Sequence, residues 1–430
     1  MKNQILKLEC IDITDEGYGV CKDSGLVIFV REMLVGEVAN VKIIKEKKNY
    51  CFGIIDELLI SSPYRVNSSC PIASKCGGCD LRHLEYRKQC ELKESLLKDY
   101  LKKENLDIEV KPIIKADITD KYRNKVQIPV KDHHFGYYRN HSNDIVELDY
   151  CLSQSDNINQ IYAYLKEELL LNNLDTNLRH LLFRENKKGE VMLVYIASKD
   201  ISKELENLNE KLLNKFPQII SIILNINKRN DNVILGKEAI LLKGQNYLQD
   251  ELNGLTFQMN YNSFYQINAL QAEKLYQKVK ELANIDKNTK ALDLYCGIGT
   301  ITLSLADQVK EIIGVEIIPQ AIDNAKINAK LNNIDNVKFY CDDAAKDYQK
   351  YLKDIDLLIV DPPRKGISVD LINYLNNSNV SQIIYVSCNY KTLIRDLKLL
   401  QESYSFDCIY PLDMFPNTLH IENIVLLSKI

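Results

Sequence analysis

The chain has no run approaching 18 consecutive apolar residues, so no membrane-spanning helix is expected. Its opening, MKNQILKLEC, contains no apolar core of a signal peptide, so no export is expected. It has no strong excess of either charge; a net charge of −4 argues against a protein that coats nucleic acid. It has one C-x2-C hook at its compact cysteine cluster and no second hook, which argues against the usual structural zinc pattern. A cytoplasmic protein with no membrane partner is expected, and a monomer. With 12 cysteines and no export signal, metal or catalytic roles are favoured over disulfides.

What is there describes an ordinary globular protein, 27% charged and 46% hydrophobic. At 430 residues it should hold two to four domains. The charge is uneven. From Val41 to Lys131 there are 19 Lys/Arg against 13 Asp/Glu. That excess fits a footprint for RNA or DNA, or simply a solvated helix face.

Residues 1–60 alternate short β-rich runs with glycine turns, which indicates a small barrel. The runs are Leu6–Ile11, Gly25–Val30, Val38–Ile44 and Cys51–Ile55, with turns at Asp15–Gly19 and Gly36-Glu37. The pattern resembles the TRAM domain, an OB-like RNA-binding barrel. Lys42, Lys45, Lys47 and Lys48, with Tyr50 and Phe52 nearby, would suit RNA by pairing cations with phosphates and rings with bases.

Residues 61–255 form a central α+β part. Cys70, Cys76 and Cys79 cluster there, and Gly77 and Gly78 let the backbone turn so that the flanking sulfurs converge. The spacing fits a thiolate-bound iron–sulfur cluster better than a radical-SAM hook, with Cys90 or Cys151 as candidate fourth ligand. Cys90 lies in a helical pattern, Leu84 to Lys103, that is polar nearly all round, and reads as a bystander. Lys121–Val130 and Phe135–Arg139 read as a hairpin dense in Arg, Lys and Tyr, either a grip on RNA or an ordinary exposed hairpin. Two β-rich runs, Glu190–Ile196 and Ile219–Asn225, flank a helix over Ser202–Lys215 and predict a βαβ unit in a mixed sheet.

Residues 256–430 carry the chemistry, in a Rossmann-like pattern. Ala291–Leu294 reads as a strand ending in the turn Tyr295-Cys296-Gly297-Ile298-Gly299-Thr300, with a helix over Ile301–Gln308. The second strand ends in Glu316, 17 residues after Gly299, where an acid binds ribose hydroxyls. The third glycine of G-x-G-x-x-G is missing, since Thr302 stands there. The third strand ends at Asp342-Asp343-Ala344 and the fourth at Asp361-Pro362-Pro363-Arg364. These acids favour S-adenosylmethionine (SAM) over a dinucleotide. The fifth strand ends at Cys388 and the helix from Lys391 follows. If the fourth and fifth strands are neighbours, Asp361 and Cys388 face one ligand. Arg364 stands where amino-methyltransferases carry an aromatic. That, with the added cysteine, suits methyl transfer to carbon 5 of uracil: a thiolate adding at carbon 6 makes carbon 5 nucleophilic, and a base then removes its proton.

Five ordered motifs carry a family resemblance: Ser263–Asn268 (SFYQIN), Asp293–Thr300 (DLYCGIGT), Asp361–Gly366 (DPPRKG), Val386–Asn389 (VSCN) and His420-Ile421-Glu422. Together they resemble the RNA uracil-5-methyltransferases. With the N-terminal barrel and the cysteines, the chain resembles the branch acting on 23S ribosomal RNA. The resemblance implies Cys388 as nucleophile and Glu422 as base. It implies SAM contacts at Gln266, Tyr295, Thr300, Glu316, Asp343 and Asp361, and a [4Fe-4S] cluster on Cys70, Cys76, Cys79 and Cys151. Transfer RNA is the alternative substrate. An inactive RNA-binding or redox-sensing protein is the alternative of another class. Gln266 has a competing reading as a helix cap.

Overall fold

The structure is a computed structural model that describes residues 2–140 and 142–430. The N-terminal region is a closed five-stranded barrel of Ile5–Ile13, Tyr18–Asp23, Leu26–Arg31, Val38–Glu46 and Tyr50–Ile60. Tyr18–Asp23 was expected to begin as a turn, and it is a full strand. The turning glycine is Gly17, with φ +81°, whereas a side chain on Gly19 would collide with the Met33 carbonyl. Gly19 is there for close packing. The core holds Ile28, Val30, Val41 and Ile43 together with Cys10, Cys21 and Cys51, so three cysteines act as small hydrophobes.

The central sheet has seven strands, in the spatial order Glu238–Gly244, Ile219–Ile226, Val191–Ala197, Leu178–Glu185, Lys125–Lys131, His134–Tyr138, Ile145–Glu147. Val191–Ala197 and Ile219–Ile226 pair in parallel, as a βαβ unit requires, and the helix between them spans Glu206–Lys215. The predicted hairpin is present, with Val130 opposite Phe135.

The third sheet runs Val337–Cys341, Glu311–Glu316, Lys290–Leu294, Leu357–Val360, Gln382–Ser387, Glu422–Lys429, Cys408–Leu412, Glu109–Val110, with Tyr404–Ser405 also on Glu422–Lys429. Its first five strands are parallel, and Glu422–Lys429 is antiparallel to both neighbours. Chain order reverses between Lys290–Leu294 and Leu357–Val360. In such sheets a ligand sits at this switch point, beyond the carboxyl ends of the strands. The edge strand Glu109–Val110 comes from far earlier in the chain.

The helix before that edge strand spans Tyr86–Lys103 and is not polar all round. It buries Gln89, Cys90, Lys93, Leu97 and Leu101. Lys93 is fully buried because its ammonium meets Asp413 at 2.5 Å and the Phe415 carbonyl at 3.2 Å. Sequence periodicity scores Lys93 as polar surface; a partner 320 residues away makes it interior.

Among the described residues no helix is long and apolar enough to cross a membrane.

Candidate active site

The strand Lys290–Leu294 ends in a tight turn in which Tyr295, Gly297 and Gly299 all have left-handed backbone, φ 72°, 56° and 84°. A side chain on Gly299 would press on the Phe339 ring at 3.0 Å, so glycine is needed for packing. Gly297 faces open space, which leaves the backbone accessible to a ligand. The Glu316 carboxylate accepts from the Gly297 N–H at 3.2 Å and the Ile318 N–H at 3.0 Å, so it is fixed beside that opening. Thr302 explains the missing third glycine: its hydroxyl donates to Asp293 at 2.6 Å, both groups buried. Burial pushes the Asp293 carboxyl up to about 7, against that hydrogen bond.

The two acids after the third strand have different work. Asp342 is taken by the Tyr351 hydroxyl and by Lys350 at 2.9 Å. Asp343 accepts from the Ala345 N–H at 3.0 Å and acts electrostatically on Tyr295, whose hydroxyl burial pushes up to about 12. Asp343 is therefore the acid facing the turn. Gln266 is buried, and it is not a helix cap. Asn268 caps the helix Ala269–Leu282, accepting from the Gln271 N–H. The Gln266 main-chain carbonyl accepts from Asn124 Nδ2 at 3.0 Å. A buried glutamine, an open glycine and an anchored carboxylate suit a nucleoside-bearing ligand such as SAM.

The fourth and fifth strands are neighbours, Val360 opposite Tyr385, so Asp361 and Cys388 leave the sheet side by side. Glu422 begins the next strand, where Asn423 pairs with Ser387. Three acidic groups thus crowd one spot. Burial, then Glu422 and Asp361, push the Cys388 thiol up to about 11, while Arg364 opposes them. Burial and Asp361 hold the Glu422 carboxyl well above its usual range, again against Arg364. Burial pushes Asp361 up to about 7. Arg364 is the cation common to Cys388 and Glu422. It donates from Nη2 to His420 Nδ1 at 3.0 Å.

The two loops are tied together. Asn389 caps the helix Tyr390–Leu400 and donates from Nδ2 to the Arg364 carbonyl at 3.0 Å, and Thr392 donates to the same carbonyl at 3.1 Å. Gly366 has φ +78° beside Asp396, which accepts from the Ile367 N–H and the Tyr385 hydroxyl. Arg364, His420 and Asn389 lie within the motifs, but the motifs do not specify these partners. The Asn-before-helix signal could have marked Asn389 as a cap; the Arg364–His420 pair has no local signal.

Cys70, Cys76, Cys79 and Cys151 line one small cavity of about 90 Å³. The Gly78 N–H and Arg82 Nε point at the Cys76 and Cys79 sulfurs, each at 3.3 Å. Cys90 packs elsewhere, with Ile113 and Ile421. Among the described residues no group of three or more His, Cys, Asp or Glu side chains is assembled to hold a metal ion. A groove of about 1150 Å³ is lined by residues such as Lys287, Lys310 and Asn336 that precede strands. It lies at the opposite end of the sheet from Cys388.

This fold and site define an α/β methyltransferase that uses SAM. Residues 85–430 match the family model described as tRNA (Uracil-5-)-methyltransferase, and the chain belongs to that family of RNA methyltransferases. An uncharacterized RNA methyltransferase of Bacillus cereus (ATCC 10987) is 38% identical, over 100% of this chain and 97% of its own length. One from Oceanobacillus iheyensis is also 38% identical, over 98% and 96%. Among solved structures, the Pyrococcus abyssi tRNA (uracil-54, C5)-methyltransferase in complex with S-adenosyl-L-homocysteine is similar. It has 28% identity and a TM-score of 0.78, covering 98% of this chain and 99% of that one.

Proposed function

We propose that this enzyme makes 5-methyluridine in 23S ribosomal RNA through a covalent enzyme–RNA adduct. The crowding of Cys388, Glu422 and Asp361 at one end of three neighbouring strands carries this reading. SAM, when bound, supplies an electrophilic methyl group and leaves as S-adenosylhomocysteine; Gln266, Tyr295, Thr300, Glu316, Asp343 and Asp361 are the residues that would hold it. The Cys388 thiolate adds to carbon 6 of the uracil, and the displaced electron pair moves through carbon 5 toward oxygen 4. Carbon 5 takes the methyl group. Glu422 then removes the carbon 5 proton, the ring double bond re-forms, and the sulfur–carbon bond breaks to release the thiolate. A carboxyl held above its usual range suits that base.

RNA containing 5-fluorouridine tests the route. Wild type should form an adduct stable to denaturing gels, because fluorine cannot leave as a proton, and Cys388→Ala should form none. No adduct with wild type, or an equal one with Cys388→Ala, would sink it.

In this reading residues 1–60, as a TRAM-like barrel, and 61–255 grip RNA, while 256–430 catalyse. Transfer RNA is a second reading, favoured by the name of the P. abyssi structure, which matches almost the whole chain, barrel included. Mapping 5-methyluridine in rRNA and tRNA from cells with and without the gene separates the two.

The four-cysteine cavity supports the further proposal of a [4Fe-4S] cluster, since thiols with N–H groups aimed at sulfur fit such a group. Iron and sulfide at about four each per chain, lost in Cys79→Ala, are expected. Zinc without iron would overturn the proposal.

A further inference from the structure

Glu422 stands where a loop enters the sheet. Its strand continues into the sheet, but the residues before it, 413–421, form a loop. That loop is gathered at Asn417, five positions before Glu422. Asn417 has left-handed backbone, φ 65°, and is buried. Its carbonyl accepts two main-chain N–H groups, from Asp80 at 2.9 Å and Leu81 at 3.0 Å. Its side-chain oxygen accepts from Gln89 Nε2 at 3.2 Å, and its own N–H donates to Gln89 Oε1 at 3.0 Å. Its Nδ2 donates to the Thr119 carbonyl at 2.8 Å. The Asp80 carboxylate closes the knot, accepting from the Leu419 N–H at 3.3 Å.

Segments around residues 80, 89 and 119 therefore meet on one asparagine. Each bond lost here would leave a polar group with less than its full set of partners. A loop this satisfied has one arrangement, and that arrangement delivers two functional groups. His420 receives Arg364, and Glu422 stands near enough to Cys388 to act electrostatically on its thiol. Asp80 directly follows Cys79, so the tie runs from the cysteine-bearing loop to the catalytic end of the sheet.

We propose that Asn417 and Asp80 are positioning residues for the Glu422 base. Their knot holds the carboxyl in place for the proton removal that frees the RNA. This rests on the covalent route above, and it makes a signature that general loosening would not. The sulfur–carbon bond breaks only after carbon 5 gives its proton to Glu422. A displaced base therefore strands methylated RNA on Cys388.

The test uses RNA with ordinary uridine and the full chain. Asp80→Ala should accumulate an enzyme–RNA adduct on denaturing gels, with kcat down about 10- to 100-fold and KM for RNA changed far less. Asp80→Asn keeps an acceptor for Leu419 and should restore turnover. Asn417→Gly keeps the left-handed backbone, loses the side-chain bonds, and should also accumulate adduct. Tm and iron content, read in parallel, identify a variant that has failed to fold or lost its cysteine site; Asn417→Gly, distant in sequence from the cysteines, then decides. Normal turnover in Asp80→Ala and Asn417→Gly, or slowed turnover with no adduct, overturns the proposal. Wild type with 5-fluorouridine RNA is the control: failure there defeats the covalent route itself, and success there without accumulation in the variants defeats only the knot.

Discussion

Cys388, the proposed nucleophile, has surroundings that discourage it from ionising. Burial and two carboxyl neighbours push it up to about 11, and Arg364 works against them. The reactive form is the thiolate. Glu422, the proposed base, must also be deprotonated, and it too is held high. Both groups become competent as pH rises, so kcat/KM should climb from pH 6 to 9, by roughly tenfold per unit where one group limits. Replacing Arg364 with Gln removes the opposing cation and should move that limb to higher pH by about half a unit to one unit. A profile unmoved by Arg364→Gln would remove the arginine from the electrostatics of the site. The neighbourhood of Asp361 and Cys388 was legible in the sequence, because adjacent strands in chain order pair and both residues follow strands. The Arg364–His420 pair was not: 56 residues separate the two, and no periodicity records which loops lean together.

The elements follow the same division. Strands of the methyltransferase sheet were readable from short apolar runs ending in acids. The helix Tyr86–Lys103 was readable as a helix and misread as a surface one, because Lys93 looks solvated until Asp413 is placed against it. Removing one partner leaves the other buried and uncompensated. Lys93→Met should cost about 3–5 kcal/mol in urea denaturation, and Lys93→Met with Asp413→Leu should recover part of it. A single-variant cost under about 1 kcal/mol would mean the pair is solvated in solution. Tyr86, which donates to Asp413 at 2.8 Å and accepts from the Ala116 N–H, limits the recovery in the double variant.

In the whole molecule, the barrel is joined to the rest by a buried carboxylate. Glu37 accepts from Arg65 at 2.6 Å and 2.7 Å and from the N–H groups of Leu34 and Ser62. Burial disfavours its charge, but these partners prevail and hold it below the usual carboxylate range. Arg65→Met should loosen the connection around residues 61–68, seen as faster cleavage there in limited proteolysis; unchanged cleavage would mean the barrel is held by its other contacts. Four short β-rich runs and the glycine turns between them made the barrel legible, though not its strand Tyr18–Asp23. Its seat on Arg65 was not, because a single Glu–Arg pair in a sequence with 59 acids and 55 bases carries no address.

The strand bearing Glu422 also constrains how the chain can be made. It lies between Gln382–Ser387 and Cys408–Leu412, and a ribosome delivers both of those first. Until residues 422–429 emerge, two apolar strand edges stand open with no partner. Synthesis thus leaves a gap that the final insertion must fill, an exposed interval in which a nascent chain is prone to wrong pairing. The same insertion brings in Glu422, the proposed base, so a chain too short to close its sheet also lacks that carboxyl.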